Sequence, residues 1–370
     1  MLKLNIKKQI SRLYLSSVLG NLSLTGAWVA ILAARGYSLV EIGIAETVFH
    51  ITSLIFEIPS GVLADVFGRK NMLIVSSLMR LTGNIIMIFS GNLPMVCASI
   101  AFQALAYNFS SGSGDALAYD CLKEAGREEY YEKYVSSQLV IYRLCSGVST
   151  MCAGFALFIG HRLAYGADVC MCLVQIGVLI SLYEERVRHS GGDGARNMLM
   201  VIGRELISCF AASLSFLKSA KRAVQLMFCN SFVGAVDVLL LFFLQAKLSE
   251  AGMPNWALGF ALFFMEMGGI AGARVILHCG KLRYRSVFAV TAFFVLVGVL
   301  LEHSGMYIVM TLGGFIAAFC DDALQVRTNT ILQDVFPSEQ RATLISIESF
   351  TFSVIMIVMS PIAGSLFSRW

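Results

Sequence analysis

The sequence predicts an all-α membrane protein, and three observations carry that prediction. Hydrophobic residues make up 57% of the 370, charged residues only 14%, and the mean hydropathy is +0.74, which lies outside the range of soluble domains. Eleven apolar segments reach the roughly 20 residues that a helix needs to cross about 30 Å of hydrocarbon. Within them the apolar residues run continuously or at helical spacing, not in the strict alternation of a lipid-facing barrel strand.

In chain order the expected spans are 13–34, 40–64, 71–90, 95–119, 135–159, 163–183, 223–246, 255–277, 286–302, 305–326 and 343–367. Short polar turns separate them, Gly-Asn-Leu-Pro at 91–94 being one. The one long polar interruption runs from Glu184 to about Arg222. Its first part, 184–198, reads as a linker, and 199–218 as an amphipathic helix on the inner leaflet. The expected organisation is therefore a six-helix bundle over 1–183, a cytoplasmic linker over 184–222 and a five-helix bundle over 223–370.

With the N-terminus placed in the cytoplasm, most of the 28 Lys and Arg fall on the inside. Only Arg35, Arg162, Lys247 and Arg369 fall outside, and Arg80 and Arg143 within spans, which is the asymmetry of the positive-inside rule. No cleavable signal peptide precedes the first span. The ten cysteines lack zinc or redox spacing and read as small reduced apolar residues. The net charge of +4 is dispersed over loops, so no nucleic-acid partner is expected.

The two halves repeat at an offset of about 208 residues. Asp115-Ala116-Leu117 aligns with Asp322-Ala323-Leu324, Asn21 falls near Asn230, and Gly68-Arg69-Lys70 has a degraded counterpart in Gly280-Lys281-Leu282. The sixth span would have a partner beyond Trp370, so a twelfth helix is missing from the pattern. Two pseudo-symmetric halves with eleven helices are the expectation.

The most informative stretch is 56–73, where Gly61, Asp65, Gly68, Arg69 and Lys70 form a polar turn between two apolar runs. Glycine permits close helix approach and tight turning. Asp65 has the charge to accept from the N-terminus of a neighbouring helix, and Arg69 the fork geometry to pair with a carboxylate. This pattern resembles the signature of the major facilitator superfamily of transporters. Arg-Gly-Tyr-Ser-Leu-Val-Glu-Ile-Gly at 35–43, Phe-Glu-Ile-Pro-Ser-Gly at 56–61 and Ser-Gly-Asp-Ala-Leu-Ala-Tyr-Asp at 113–120 resemble its prokaryotic efflux-type members. The resemblance implies Asp120 as the partner of Arg69, and a cytoplasmic latch that holds and releases the two halves. The fifth span lacks the proline-glycine signature of many drug/proton antiporters.

Ionisable groups inside spans are costly and read by default as functional. Those considered are Glu46, His50, Glu57, Arg80, Asp115, Arg143, Asp237, Glu266, Asp321, Asp322 and Glu348. Asn21, Glu46, Asp115, Arg143, Asp237, Glu266 and Asp322 are the expected substrate or proton-coupling residues. Arg80 reads as a buried structural partner, His50 as a satisfied helix contact, and Glu57, two residues before Pro59, as lying at a kink.

No phosphate-binding glycine loop occurs, so ATP does not supply the drive. No nucleophile, base and orienting group recur at matched depth, and no metal-ligand pairs appear. The expectation is a non-enzymatic, cofactor-free monomer in a prokaryotic cytoplasmic membrane that carries a small molecule by alternating access, with protons as the coupling ion. Efflux of amphipathic or cationic compounds is the first reading, uptake of a polar or anionic nutrient the second, and an inactive remnant the third.

Overall fold

A backbone surrounded by lipid must satisfy its own hydrogen bonds, and every regular element among the described residues is a helix. The computed structural model describes residues 6–184, 220–279, 282–335 and 341–369, with isolated positions between 185 and 219. The stretch 199–218 lies largely outside them, as do Gly280 and Lys281.

The helices are α1 (Ile6–Asn21), α2 (Trp28–Ala34), α3 (Leu39–Phe67), α4 (Arg69–Phe89), α5 (Leu93–Ser110), α6 (Ser113–Glu124), α7 (Tyr131–Met151), α8 (Ala153–Ile159) and α9 (His161–Ile180). After the interruption come α10 (Lys221–Glu250), α11 (Asn255–His278), α12 (Tyr284–Glu302), α13 (Tyr307–Val335) and α14 (Arg341–Ser368). Among the described residues nine helical segments are long and apolar enough to cross a membrane, or ten if α7 and α8, which are bent against each other, count as one.

The expected first span, 13–34, is two helices instead of one, because α1 ends at Asn21 and α2 begins at Trp28. The intervening Leu-Ser-Leu-Thr-Gly-Ala is rich in small hydroxyl side chains, which compete with the helical ladder for backbone hydrogen bonds. The expected 95–119 span lies within one candidate span, Leu93–Glu124, which α5 and α6 form across a short break at Gly112, whose φ of +70° is left-handed. Pro59 lies inside α3, which continues to Phe67.

The chain forms two compact units. Unit 1 comprises Met1–Gly26, Ile51–Ser149 and Ile159–Ile207; unit 2 comprises Ala27–His50, Thr150–Phe158 and Ser208–Trp370. In unit 1, α4 packs against α5, α6 and α9, and α1 against α6 and α9. Leu13, Leu117, Cys121, Tyr134 and Leu179 form a buried cluster there.

In unit 2, α13 packs against α10, α11 and α12. Lipid tails are as apolar as leucine, so helices associate through close fit and small residues. Gly268 and Gly272, one turn apart on α11, lie so close to the carbonyls of Phe315 and Phe319 on α13 that no Cβ fits at either position.

Candidate functional site

The polar turn between α3 and α4 holds three chain segments together within unit 1. Gly68 turns the chain with φ of +89°, a conformation that only glycine adopts without strain. α4 then starts with two unsatisfied amides, and Glu184 accepts both: Oε1 from the Arg69 amide at 2.7 Å and Oε2 from the Lys70 amide at 3.1 Å. A carboxylate suits this place, because a helix N-terminus carries positive partial charge. The Arg69 guanidinium pairs with Asp120 and donates to the Ala116 carbonyl at 3.1 Å. Lys70 Nζ donates to the carbonyls of Ile180 and Leu182, at 2.8 and 2.6 Å, at the end of α9.

The side chain of Asp65 lies outside the described residues. Gly61 is exposed, and no described atom comes within 4 Å of where its Cβ would stand.

Deeper in unit 1 a cavity of about 440 Å³ opens between α1, α4, α5, α6, α7 and α9. Its wall is mostly polar. Asn21, Gln103, Gln138 and Gln175 contribute amides, while Ser76, Ser77, Tyr107 and Tyr142 contribute hydroxyls. Among the described residues of the wall, Asp115 is the one carboxylate and Arg80 the one strong base.

Arg80 is already engaged. Its guanidinium donates to the carbonyls of Leu19, at 3.0 Å, and Gly20, to Gln175 Oε1 at 2.6 Å and to Cys172 Sγ at 3.1 Å. These carbonyls close the last turn of α1, where unsatisfied acceptors collect. Asn21 Nδ2 donates to the Ser17 carbonyl at 2.8 Å. Arg143 is exposed, does not line this cavity, and forms no ion pair among the described residues.

The break between α1 and α2 is organised by Asp168 of α9, which is buried. Its carboxylate accepts from Ser23 Oγ at 2.6 Å, the Leu24 amide at 2.9 Å and Thr25 Oγ1 at 2.5 Å. Neither Asp168 nor Glu184 was singled out by sequence reasoning. The signal for Asp168 was available, since it is an acidic residue in mid-span. Glu184 sits at a loop boundary and looks like any polar residue that ends a helix.

Unit 2 carries a second group of acids. Glu46 pairs with His50 at 3.2 Å within α3, and the His50 ring meets the edges of Phe49 and Phe352. Glu266 Oε1 accepts from Thr150 Oγ1 at 2.9 Å, and Asn230 Nδ2 donates to Glu348 Oε1 at 3.2 Å.

Asp237 on α10 is buried, and its Oδ1 has no hydrogen-bond partner among the described residues. Among the described residues the charges that act on it are acidic: Asp321 and Asp322 on α13, and Glu302 on α12. Gly234, one turn before Asp237, leaves room for Asp321, whose Oδ1 stands 3.5 Å from the Cβ a larger residue would bring. The Asp322 carboxylate packs against Gly269 in the same way. Buried carboxylates of like charge call for a proton or a cation to compensate them. Asp115 and Asp322, aligned by the repeat, belong to different units.

A bundle of apolar helices with a polar cavity and buried acids defines the class of multi-pass membrane transporters. The chain belongs to the Major Facilitator Superfamily, whose family model matches residues 13–286. It is 21% identical over 352 residues to the uncharacterized MFS-type transporter YxaM of Bacillus subtilis (strain 168), covering 91% of this chain and 83% of the relative.

Among solved structures, the fold is shared with the nucleoside transporter NupG (D323A mutant) at a TM-score of 0.74 and 14% identity, covering 98% of this chain and 91% of the other. A D-xylose-proton symporter matches at 0.67 and 12% identity, covering 96% and 87%. The peptide transporter POT in complex with sulfate matches at 0.67 and 13% identity, covering 98% and 90%.

Proposed function

We propose that this protein is a proton-coupled secondary transporter that carries a small, polar, uncharged solute by alternating access across a prokaryotic cytoplasmic membrane. The observation that carries this reading is the amide- and hydroxyl-lined wall of the unit 1 cavity. Such walls exchange hydrogen bonds with hydroxyl-rich solutes and reject apolar ones, which cannot repay the desolvation of buried amides. An anionic solute is disfavoured, because the donors of Arg80 are committed to α1 carbonyls and Gln175. The nucleoside transporter and the D-xylose-proton symporter among the fold relatives are in keeping with this reading.

Proton coupling falls to Asp115 in unit 1 and to Asp237 and Asp321 in unit 2, acids for which no basic partner stands among the described residues. The set of Gly61, Asp65, Gly68, Arg69, Lys70 and Asp120, joined by Glu184, acts as the cytoplasmic latch. Glu46 and Glu266, bonded to His50 and Thr150, serve as structural partners in this scheme.

Efflux of amphipathic cations is the second reading. It is favoured by Asp115, which with the already engaged Arg80 is charged among the described wall residues, and by the rings of Tyr107 and Tyr142 in the same wall.

One experiment separates the two readings. Purified protein in proteoliposomes under an imposed proton gradient is offered radiolabelled nucleosides and pentoses in one arm and a fluorescent lipophilic cation in the other. Uncoupler-sensitive movement of a neutral polar solute supports the first reading. Movement of the cation alone overturns it in favour of the second.

A further inference from the structure

A second pocket in unit 1, of about 330 Å³, shares no lining residue with the polar cavity, although α1, α6 and α7 contribute to both. Ile6, Ile10 and Tyr14, each four residues from the next, line it along one face of α1, with Tyr134 opposite. The Tyr14 and Tyr134 rings stack at 5.3 Å. Around this apolar wall stand three bases, Lys7, Arg127 and Lys133, and no carboxylate is among the described residues that line the pocket.

Position in the fold decides what such a pocket meets. It sits where α1 begins, α6 ends and α7 begins, so all three helices reach the same membrane surface there. The bases lie at that surface, while Tyr14, seven residues on from Lys7, is about 10 Å further along α1 toward the hydrocarbon. A cationic rim at headgroup depth over a tyrosine and isoleucine wall has the layered chemistry of a phospholipid. Arg127 is held in place over the Tyr130 ring at 5.7 Å, and neither Lys7 nor Lys133 forms an ion pair among the described residues.

We propose that this pocket binds the phosphate headgroup of an anionic phospholipid, with Lys7, Arg127 and Lys133 meeting the phosphate and Ile6, Ile10, Tyr14 and Tyr134 covering the glycerol and first methylenes. The charge complementarity selects against cations, including any cationic solute the protein carries. Free phosphate uses the rim but leaves the apolar wall wet, and so forfeits the burial of its area. Basic pockets between helices at a membrane surface are suited to this kind of ligand.

The test uses the full chain purified in detergent, with lipid retention read by native mass spectrometry and thermal unfolding. The probes are dioleoylphosphatidylglycerol, dioleoylphosphatidylcholine, glycerol phosphate and inorganic phosphate. Wild type should retain phosphatidylglycerol over phosphatidylcholine, and each of Lys7→Gln, Arg127→Gln and Lys133→Gln should weaken that retention about fivefold. Lys7→Arg with Lys133→Arg should keep it.

Unchanged lipid-free unfolding temperatures establish that the glutamine variants fold; should one fail to fold, the arginine pair and the remaining single variants decide. Equal retention of the two lipids, or phosphatidylglycerol retention indifferent to all three bases, overturns the proposal. Glycerol phosphate or inorganic phosphate binding as tightly as the lipid makes this a soluble-anion site and overturns it as well.

Discussion

Glu184 joins the end of α9 to the start of α4 by accepting the backbone amides of both Arg69 and Lys70, one on each carboxylate oxygen. The helix that follows the polar turn is therefore capped from a residue more than a hundred positions away in the chain. Replacing Glu184 by Ala leaves two amides at a part-buried helix start and should cost about 1 kcal/mol, within the usual range of a lost N-terminal cap. Glu184→Gln keeps one acceptor and should lose less. Thermal unfolding of the detergent-purified variants checks the order; an alanine variant as stable as wild type contradicts it.

Gly61 and Gly68 look alike in the sequence, as two glycines of one motif, yet the structure assigns them different tasks. Gly68 combines a φ of +89° with a Cβ direction that meets Glu184 Oε2 at 2.8 Å. Gly68→Ala should therefore destabilise by roughly 1–2 kcal/mol from the backbone alone and lower transport with it. Gly61→Ala has no described neighbour to strike and lies within α3, where alanine is the better helix former. It should be neutral or stabilising by thermal unfolding, and a large loss there would refute the distinction.

Arg80 tests how far a positive charge in a cavity wall can be read as a binding group. Its guanidinium makes four contacts that tie α4 to the end of α1 and to α9. An ammonium group has neither the fork nor the reach to replace them. Arg80→Lys should thus lower the unfolding temperature as well as transport, with a loss on the order of 2–3 kcal/mol from unmade bonds to charge. A variant with native stability and a changed solute preference would instead make Arg80 a ligand group.

What the sequence made legible follows from what each signal measures. Hydropathy reports helices that face lipid, so α3, α4 and α9 to α14 lie where the apolar runs place them. It is blind to a break that keeps its composition apolar, which is why 13–34 reads as one span although α1 and α2 are separate. The pairing of Arg69 with Asp120 follows from the family resemblance, because both residues sit in fixed motifs. The partners supplied by distant helices, Glu184 for α4 and Asp168 for the α1 break, have no local pattern. Arg143 is marked by its mid-span position alone, and it is not among the described residues that line the unit 1 cavity.

Asp168 holds that break with three acceptor contacts from Ser23, Leu24 and Thr25. Asn at this position presents an amide to donors, so at least one of the three bonds must fail. Asp168→Asn should cost about 1–3 kcal/mol by thermal unfolding, whereas Ser23→Ala, which removes one donor and leaves two, should cost less. Equal effects of the two changes would mean that the carboxylate does not organise the break.

Asp237 and Asp321 give the sharpest test of proton coupling, because coupling and solute binding are divided between the units in this reading. Asp237 is buried with an unsatisfied oxygen, and the charges that act on it are acidic. Asn is nearly isosteric, needs no compensating proton and can take none up. In proteoliposomes, Asp237→Asn and Asp321→Asn should abolish accumulation driven by a proton gradient while keeping exchange of labelled for unlabelled solute, which needs no net proton movement. Asp115→Asn, in the cavity wall, should weaken solute exchange itself. Full gradient-driven accumulation in both unit 2 variants would remove these carboxylates from the coupling mechanism, and loss of exchange in them would make them solute ligands instead.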